Sequence, residues 1–390
     1  MPNDALAAFH ALLLADVALQ DALGDIADFR AFAVRAAEAA RAGGVDLNAE
    51  ALEAALYAPP PNLVLEGLSP LRGWLPAEVS QVDGRPVVAW LRFGRRRLTE
   101  PFYDNSLARA RRLPFNRLFG FRTPLGELEA WSHALDLPGK PDGLIFHMSR
   151  CGSTLAAQML AASPSNVVIS EAAPIDAIVQ LNAHDETAKA ALLRAMVAVL
   201  GQARNPGETR RFVKLDCWHS LDLPLLRRAF PDTPWVFLYR DPVEVMVSHA
   251  RQRGMQMIPD LVPPTVFGID LADGVPDDDY CARVLAAVCE GAVRHYPAGG
   301  GRLIDYRELP AALFATILPH FGVAPPEAEA DVMRQAAVRD AKAPEQAFAP
   351  DGAAKRQAAT AAVREICERR LGSVYRRLEA LRERQVEGTT

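Results

Sequence analysis

Three stretches of the 390-residue chain combine residue types and spacings suited to chemistry on an anion. The first is Ser149 Arg150 Cys151 Gly152 Ser153 Thr154 Leu155, which follows the apolar run Leu Ile Phe His Met at 144–148 and leads directly into a helical pattern. A turn of small residues at a helix N-terminus presents several backbone N–H groups and the positive end of the helix dipole, an arrangement suited to phosphate or sulfate. It is not a Walker A loop: that motif needs Lys after its second Gly, and Ser153 follows Gly152. Taken alone, such a turn also serves as a tight strand-to-helix connection. The second stretch is Tyr239 Arg240 Asp241 Pro242 Val243 Glu244 Val245 Met246 Val247 Ser248. Asp241 is an N-cap residue and Pro242 suits the first helical position, so Arg240 falls at a strand's carboxyl end and Ser248 on the second turn of the next helix, where the two can converge on one anion. The third is Phe212 Val213 Lys214 Leu215 Asp216, notable because the chain has only 5 lysines against 38 arginines. An ammonium inside a strand is therefore more than background, with a snorkelling edge-strand Lys as the bland alternative.

These residues need a scaffold that brings distant turns together. Short apolar runs recur at 144–148, 166–169, 211–215, 235–239 and 303–306, separated by helical stretches near 154–162, 186–202, 221–230, 243–253, 281–296 and 309–321. Strand–helix alternation predicts a parallel sheet covered on both faces, with ligands bound beyond the carboxyl ends of the strands. A charged helical segment follows at roughly 354–385, with Val363, Ile366, Leu371, Val374, Tyr375, Leu378 and Leu381 on its inner face.

Two different textures precede this region. Residues 1–58 are rich in Ala and Leu and acidic, with apolar residues at helical spacing (Phe9, Leu12, Leu13, Val17, Leu23, Phe29, Phe32) and N-cap residues at Asp28 and Asn48. They predict a small helical module, closed by a Pro59 Pro60 Pro61 linker. Residues 62–135 form an accessory region of mixed α/β or β character, with a hairpin or short sheet around Asp83 Gly84 and the run Pro86 to Phe93. Between Leu91 and Arg122 lie 9 arginines interleaved with aromatic residues. Such a stretch can bind RNA or another anion, but the simpler reading sets the arginines on a solvated face above an aromatic core.

Composition narrows the function classes. Half the residues are apolar, 23% are charged and the net charge is −5, so bulk nucleic-acid affinity is not expected. The five cysteines (Cys151, Cys217, Cys281, Cys289, Cys367) show neither a CxxC pair nor metal-ligand spacing, which implies a reducing compartment. With no basic start to the N-terminal segment and no run of about 18 apolar residues, the reading is a cytoplasmic protein without a membrane span.

Together the Arg150–Leu155 loop and the Arg240–Ser248 segment resemble the sulfotransferase family, which uses 3′-phosphoadenosine 5′-phosphosulfate (PAPS) on a P-loop-like α/β fold, over about residues 142–310. The loop is similar to the Arg-containing version of bacterial and tyrosylprotein sulfotransferases, and Leu303 Ile304 Asp305 Tyr306 Arg307 Glu308 Leu309 to the family's Tyr-Glu-Asp-Leu strand end, from which Arg307 and Glu308 depart. The resemblance implies that Arg150, Cys151, Gly152, Ser153, Thr154 and Leu155 hold the 5′-phosphosulfate and that Arg240 and Ser248 hold the 3′-phosphate. Arg150 and Lys214 are then the cations at the bridging oxygen, with no metal needed. Glu171, ending Val168 Ile169 Ser170 Glu171, resembles the base of tyrosylprotein and several bacterial enzymes; burial can raise its pKa and a nearby Arg150 would oppose this. Asp216 and His219 are rivals, since the cytosolic enzymes use a His two residues after the strand Lys and Asp216 occupies that offset. Lys355 is a further candidate for contact with the nucleotide. Residues 5–57 resemble the helical leader-like domains of some bacterial ribosomal peptide precursors, with a helical cap on the enzyme as the plainer reading.

The sequence thus predicts a P-loop-like parallel α/β domain over 136–390 behind two N-terminal modules, acting as a PAPS-dependent sulfotransferase on a hydroxyl or amine of a small molecule or peptide. The alternatives are a P-loop kinase, disfavoured by the missing Walker lysine, and a non-catalytic module that binds an anion or peptide. The acceptor is not legible: the segment Gly254 to Asp279 between the motifs has no interpretable periodicity. The oligomeric state is equally open.

Overall fold

The computed structural model describes residues 2–58, 63–69, 71–182, 185–259, 261–271, 275–339, 341 and 351–387. The predicted Pro59 Pro60 Pro61 linker lies outside them. The chain divides into two compact units, one of Met1–Gly139, Ala173–Asn182 and Ala191–Glu208, the other of Lys140–Ala172, Ala183–Ala190 and Thr209–Thr390.

In the first unit, helices Pro2–Ala15, Val17–Leu23, Phe29–Ala42 and Ala49–Leu56 precede an antiparallel sheet of β1 (Trp74–Val82), β2 (Arg85–Arg92) and β3 (Phe121–Pro124), in that order. Asp28 and Asn48 cap their helices through side-chain bonds to the N–H groups of Ala31 (2.7 Å) and Ala51 (2.8 Å). The hairpin turns at Asp83 (φ 49°) and Gly84 (φ 75°), two left-handed residues that match the strand twist of a two-residue connection. Residues 1–58 and 62–135 fall in this one unit because they share a core: Phe9 meets Phe119 edge-on at 5.6 Å, and Phe32 lies 6.3 Å from the same ring. Phe93, Tyr103, Phe115, Phe119 and Phe121 are buried and Phe102 is partly so, and several of the arginines of 91–122 are engaged internally. Arg92, Arg96 and Arg109 pair with Asp21, Asp25 and Glu100, and Arg92 and Arg117 lie over the rings of Phe115 and Phe29.

The second unit is built on a five-stranded parallel sheet of β4 (Gly143–His147), β5 (Asn166–Ser170), β6 (Arg210–Lys214), β7 (Trp235–Tyr239) and β8 (Gly301–Asp305), in the order β5-β6-β4-β7-β8. Every residue of β4, β5 and β7 is buried, which is why these strands read in the sequence as unbroken apolar runs. Helix Ser153–Ala162 follows β4 and helix Pro242–Arg251 follows β7. Because β5 lies to one side of β4 and β7 to the other, the chain reverses direction across the sheet beside β4. That switch opens a crevice at the strands' carboxyl ends. The predicted helix near 309–321 is instead a turn followed by a π-helical stretch, Leu313–Ile317, and a single helical turn, Leu318–His320; Pro310 and Pro319 lack the N–H groups that a continuous helix needs. The C-terminal segment is two helices, Gly352–Ala358 and Ala361–Glu387, the second burying Val363, Leu371, Val374 and Leu378. Among the described residues no single helix is long and apolar enough to cross a membrane, and all five cysteines are free and buried.

Candidate functional site

Lys214, Glu171 and Arg240, all singled out in the sequence, sit at the carboxyl ends of neighbouring strands, with His147 and Tyr306 at the ends between and beside them. His147 closes β4 and Lys214 closes β6; Glu171, Arg240 and Tyr306 stand one residue beyond the ends of β5, β7 and β8. Cα register pairs Ser170 with Lys214 and Tyr239 with Asp305, so the turns that follow emerge on the same edge of the sheet.

After β4 the backbone takes left-handed conformations at Ser149 (φ 76°), Arg150 (φ 50°) and Gly152 (φ 86°) before helix Ser153–Ala162 begins. A non-glycine residue held there costs about 1–3 kcal/mol and persists only where its surroundings fix it. Here they do. The Ser149 N–H donates to His147 Nδ1 at 3.1 Å, and the Ser149 hydroxyl accepts from Gln256 Nε2 at 2.9 Å. Arg150 donates to the Gln252 carbonyl at 2.6 Å, and Cys151 Sγ donates to the Leu238 carbonyl at 3.1 Å. The Cys151 side chain therefore points back into the sheet, and burial pushes its thiol up to about 11, so it offers an anion only its backbone N–H. Ser153, Thr154 and Leu155 are buried in the first helical turn, whose N–H groups have no intrahelical acceptor. Gly152 is required twice over: its φ is left-handed, and a Cβ there would stand 2.7 Å from Tyr306 Cδ2.

Lys214 lies on β6, between β5 and β4, and is 1% exposed, so it is not a snorkelling edge residue. Its ammonium donates to Glu171 Oε1, which also lies 3.2 Å from His147 Nε2. Burial by itself raises the Glu171 pKa, but the Lys214 ammonium and the His147 ring outweigh it and hold the carboxyl ionised, well below the ordinary range. This differs from the sequence-based expectation of a raised Glu171: the opposing cation is Lys214 rather than Arg150. Asp216 and His219 are both buried just after β6, His219 with no exposed surface and its ring 5.9 Å from that of Trp218.

Arg240 is 4% exposed, with its guanidinium 3.9 Å above the centre of the Tyr306 ring. It donates to Glu244 Oε2 at 2.6 Å and to Asp351 Oδ1 at 2.9 Å. Burial disfavours its charge, and these two carboxylates more than offset that, raising its pKa. Asp351 also accepts from the buried Lys355 ammonium at 2.7 Å, and Arg356 pairs with Glu244. Asp241 caps helix Pro242–Arg251 as predicted, accepting from Val243 N–H at 2.8 Å. Ser248 lies half-buried one turn beyond Glu244, on the same helix face. Tyr306 joins the two halves of the site, lying under Arg240 and against Gly152.

Residues 144–258 match the model of the sulfotransferase family. Over that segment the chain is similar to the sulfotransferase family. The segment contains the Ser149–Leu155 loop, Glu171, Lys214, Arg240 and Ser248; Tyr306, Asp351 and Lys355 lie beyond it. Solved sulfotransferases are similar to the chain at low identity. A sulfotransferase from Mycobacterium avium is 15% identical, with a TM-score of 0.42, covering 70% of this chain and 84% of that one. A sulfotransferase domain from the curacin biosynthetic pathway is 16% identical, with a TM-score of 0.40, covering 58% and 96%. A sulfotransferase from Alicyclobacillus acidocaldarius is 16% identical, with a TM-score of 0.38, covering 63% and 96%. No curated protein matches the chain.

Several residues of this site are not signalled by the sequence. His147 sits inside an apolar run that reads simply as strand. Glu244 is readable after the fact, four residues from Arg240 on the helix that Asp241 caps. Asp351 lies 111 residues from its Arg240 partner and belongs to no recognisable pattern.

Proposed function

We propose that the protein transfers the sulfuryl group of PAPS to a hydroxyl or amine of a small molecule or peptide. The observation that carries this reading is the ion pair of enclosed Lys214 with partly exposed Glu171, beside a left-handed turn that opens helix Ser153–Ala162. The donor set suits a doubly anionic nucleotide. Backbone N–H groups of Gly152 to Leu155 face one anion at a helix N-terminus, and Arg240, buried and stacked on Tyr306, serves the other. Ser248 and Lys355 are the supporting contacts on the Arg240 side.

Sulfuryl transfer forms a bond from the acceptor oxygen or nitrogen to sulfur and breaks the bond from sulfur to the oxygen of the 5′-phosphate, which leaves with the electron pair. Negative charge grows on that leaving oxygen, where Lys214 and Arg150 supply compensating charge. Glu171, held ionised, accepts the acceptor's proton; as Lys214 turns toward the leaving oxygen its hold on Glu171 loosens and the carboxylate becomes a stronger base. Arg240 must exchange Asp351 for the 3′-phosphate, while Glu244 keeps it oriented.

Calorimetry with adenosine 3′,5′-bisphosphate tests the reading. Wild-type protein is expected to bind it, and Arg240→Ala to weaken binding by about tenfold or more, the loss of one charge-assisted contact. Absence of binding by the wild type, or equal affinity in the variant, overturns the assignment.

A further inference from the structure

We propose that His147 is a positioning residue that keeps the anion loop and the Glu171 carboxylate in one register, one ring nitrogen serving each. The proposal rests on the reading of Ser149 to Leu155 as the donor loop and of Glu171 as the base.

His147 is the last residue of β4 and is 5% exposed. Its Nδ1 accepts the Ser149 N–H at 3.1 Å, so the proton of the neutral ring sits on Nε2. That N–H faces two acceptors, the Leu215 carbonyl at 3.0 Å and Glu171 Oε1 at 3.2 Å. A histidine buried for packing alone needs an acceptor for its single N–H. This ring has three polar partners on three segments: the loop after β4, the turn after β6 and the residue after β5.

Each partner is one whose geometry the reaction needs. Ser149 begins the run of left-handed residues that aims the loop's N–H groups, and its own N–H is tied to the ring. Glu171 is itself left-handed (φ 50°), with its N–H on the Lys214 carbonyl at 2.7 Å, so its carboxylate direction depends on what holds its side chain. Lys214 holds one oxygen, and the His147 N–H approaches that same oxygen from β4. Burial, helped by the Lys214 charge, favours the neutral ring, which leaves the Lys214–Glu171 pair electrically balanced. A rigid imidazole between loop and carboxylate means that a shift of either is felt by the other.

Two substitutions separate the two nitrogens. In His147→Asn the side-chain carbonyl reaches the place of Nδ1 and retains Ser149, but nothing reaches Glu171. In His147→Gln the amide N–H reaches the place of Nε2, but the loop loses its acceptor. The readouts are the Kd for adenosine 3′,5′-bisphosphate and the rate of sulfate release from saturating PAPS with water as acceptor. His147→Asn is expected to bind within about threefold of wild type and to release sulfate about tenfold more slowly; His147→Gln is expected to show about fivefold weaker binding with release within about threefold. In a Glu171→Gln background the Asn substitution should cost no more than about twofold further in rate, since the group it acts through is gone. Parallel losses in both readouts for both variants, or an undiminished penalty in the Glu171→Gln background, overturn the proposal.

Should the variants fail to fold, nitrogen NMR of wild-type protein carrying ¹⁵N-histidine decides. A ring that stays in the Nε2–H form between about pH 6 and 8, and whose Nδ1 resonance moves when adenosine 3′,5′-bisphosphate fills the loop, supports the proposal. The opposite tautomer, a protonated ring at neutral pH, or an unmoved resonance in protein that binds the nucleotide overturns it. Wild-type protein that binds no nucleotide overturns the donor reading and this proposal with it, whereas parallel losses with wild-type binding intact overturn this proposal alone.

Discussion

The Lys214 ammonium and the Glu171 carboxylate form an ion pair at the carboxyl ends of adjacent strands, with the lysine side chain fully enclosed and the carboxylate still 22% exposed. The asymmetry has an energetic consequence. An enclosed ammonium without its partner carries an uncompensated charge, which costs about 3–5 kcal/mol, whereas removing both charges together is often close to neutral. Glu171→Gln, which preserves side-chain volume, is therefore expected to lower unfolding free energy by about 3 kcal/mol, and Glu171→Gln combined with Lys214→Met to recover at least half of that. Both proteins should release sulfate from PAPS at least about a hundredfold more slowly than wild type, with a residual rate that is still measurable. Denaturant unfolding measures the stabilities; additive losses in the double variant would show that the pair is not a coupled unit.

Asp351 supplies a carboxylate to both Arg240 (2.9 Å) and Lys355 (2.7 Å). A 3′-phosphate that pairs with Arg240 competes with it. Asp351→Asn keeps the side chain's size and removes the competing charge, so affinity for adenosine 3′,5′-bisphosphate is expected to rise by about three- to tenfold, up to about 1.4 kcal/mol. Calorimetry checks this. Unchanged or weaker binding would mean that Asp351 supports the Arg240 site rather than occupying it.

Much of the sheet was legible because of where it lies. Strands buried on both faces are continuous apolar runs bounded by turn residues, and each of the five runs read from the sequence lies on an observed strand to within two residues. Strand β1 was not legible: Pro76 interrupts it, the register shifts between Pro76 and Glu78, and its second half is partly solvated, so neither alternation nor a run survives. Lys214 stood out because lysine is rare in a chain of 5 lysines against 38 arginines, and this one falls inside an apolar strand. Glu171 became a candidate through its strand-end position, but the sign of its shift depends on a lysine 43 residues away. Side chains that complete the site from afar, Asp351 and Tyr306 above all, act through contacts that only the folded chain creates.

Gly152 makes a prediction about the loop itself. Alanine there meets two penalties, the left-handed φ of 86° and the Tyr306 ring at 2.7 Å, the latter an aromatic wall that is itself packed under Arg240. The backbone strain alone is about 1–2 kcal/mol. Gly152→Ala is expected to lower the melting temperature by several degrees and to weaken adenosine 3′,5′-bisphosphate binding by more than about tenfold, since the ring must move out of the crevice. Gly152→Ala with Tyr306→Leu should regain part of the stability, because the shorter side chain yields. A Gly152→Ala protein with wild-type melting and binding would show that the loop tolerates another backbone path.

Away from the chemistry, a carboxylate gripped by three arginines ties helix Ala361–Glu387 to helix Asp277–His295. Asp279, buried on helix Asp277–His295, accepts from Arg370 at 2.8 and 3.0 Å, from Arg283 at 2.7 Å and from Arg369 at 3.2 Å. The Arg370 bond, against the opposing effect of burial and with help from Arg283 and Arg369, holds its pKa down at about 2. A carboxyl with a folded pKa below its unfolded value of about 4 contributes stability above pH 4 and loses it as pH falls toward 2. The contribution is about 2 kcal/mol at most. Asp279→Asn should therefore be less stable than wild type at neutral pH by an amount of that order, and the difference should shrink toward zero between pH 4 and 2. Urea unfolding of the two proteins across that range measures it; a gap that stays constant with pH would mean that Asp279 holds the helix by packing and neutral hydrogen bonds rather than by its charge.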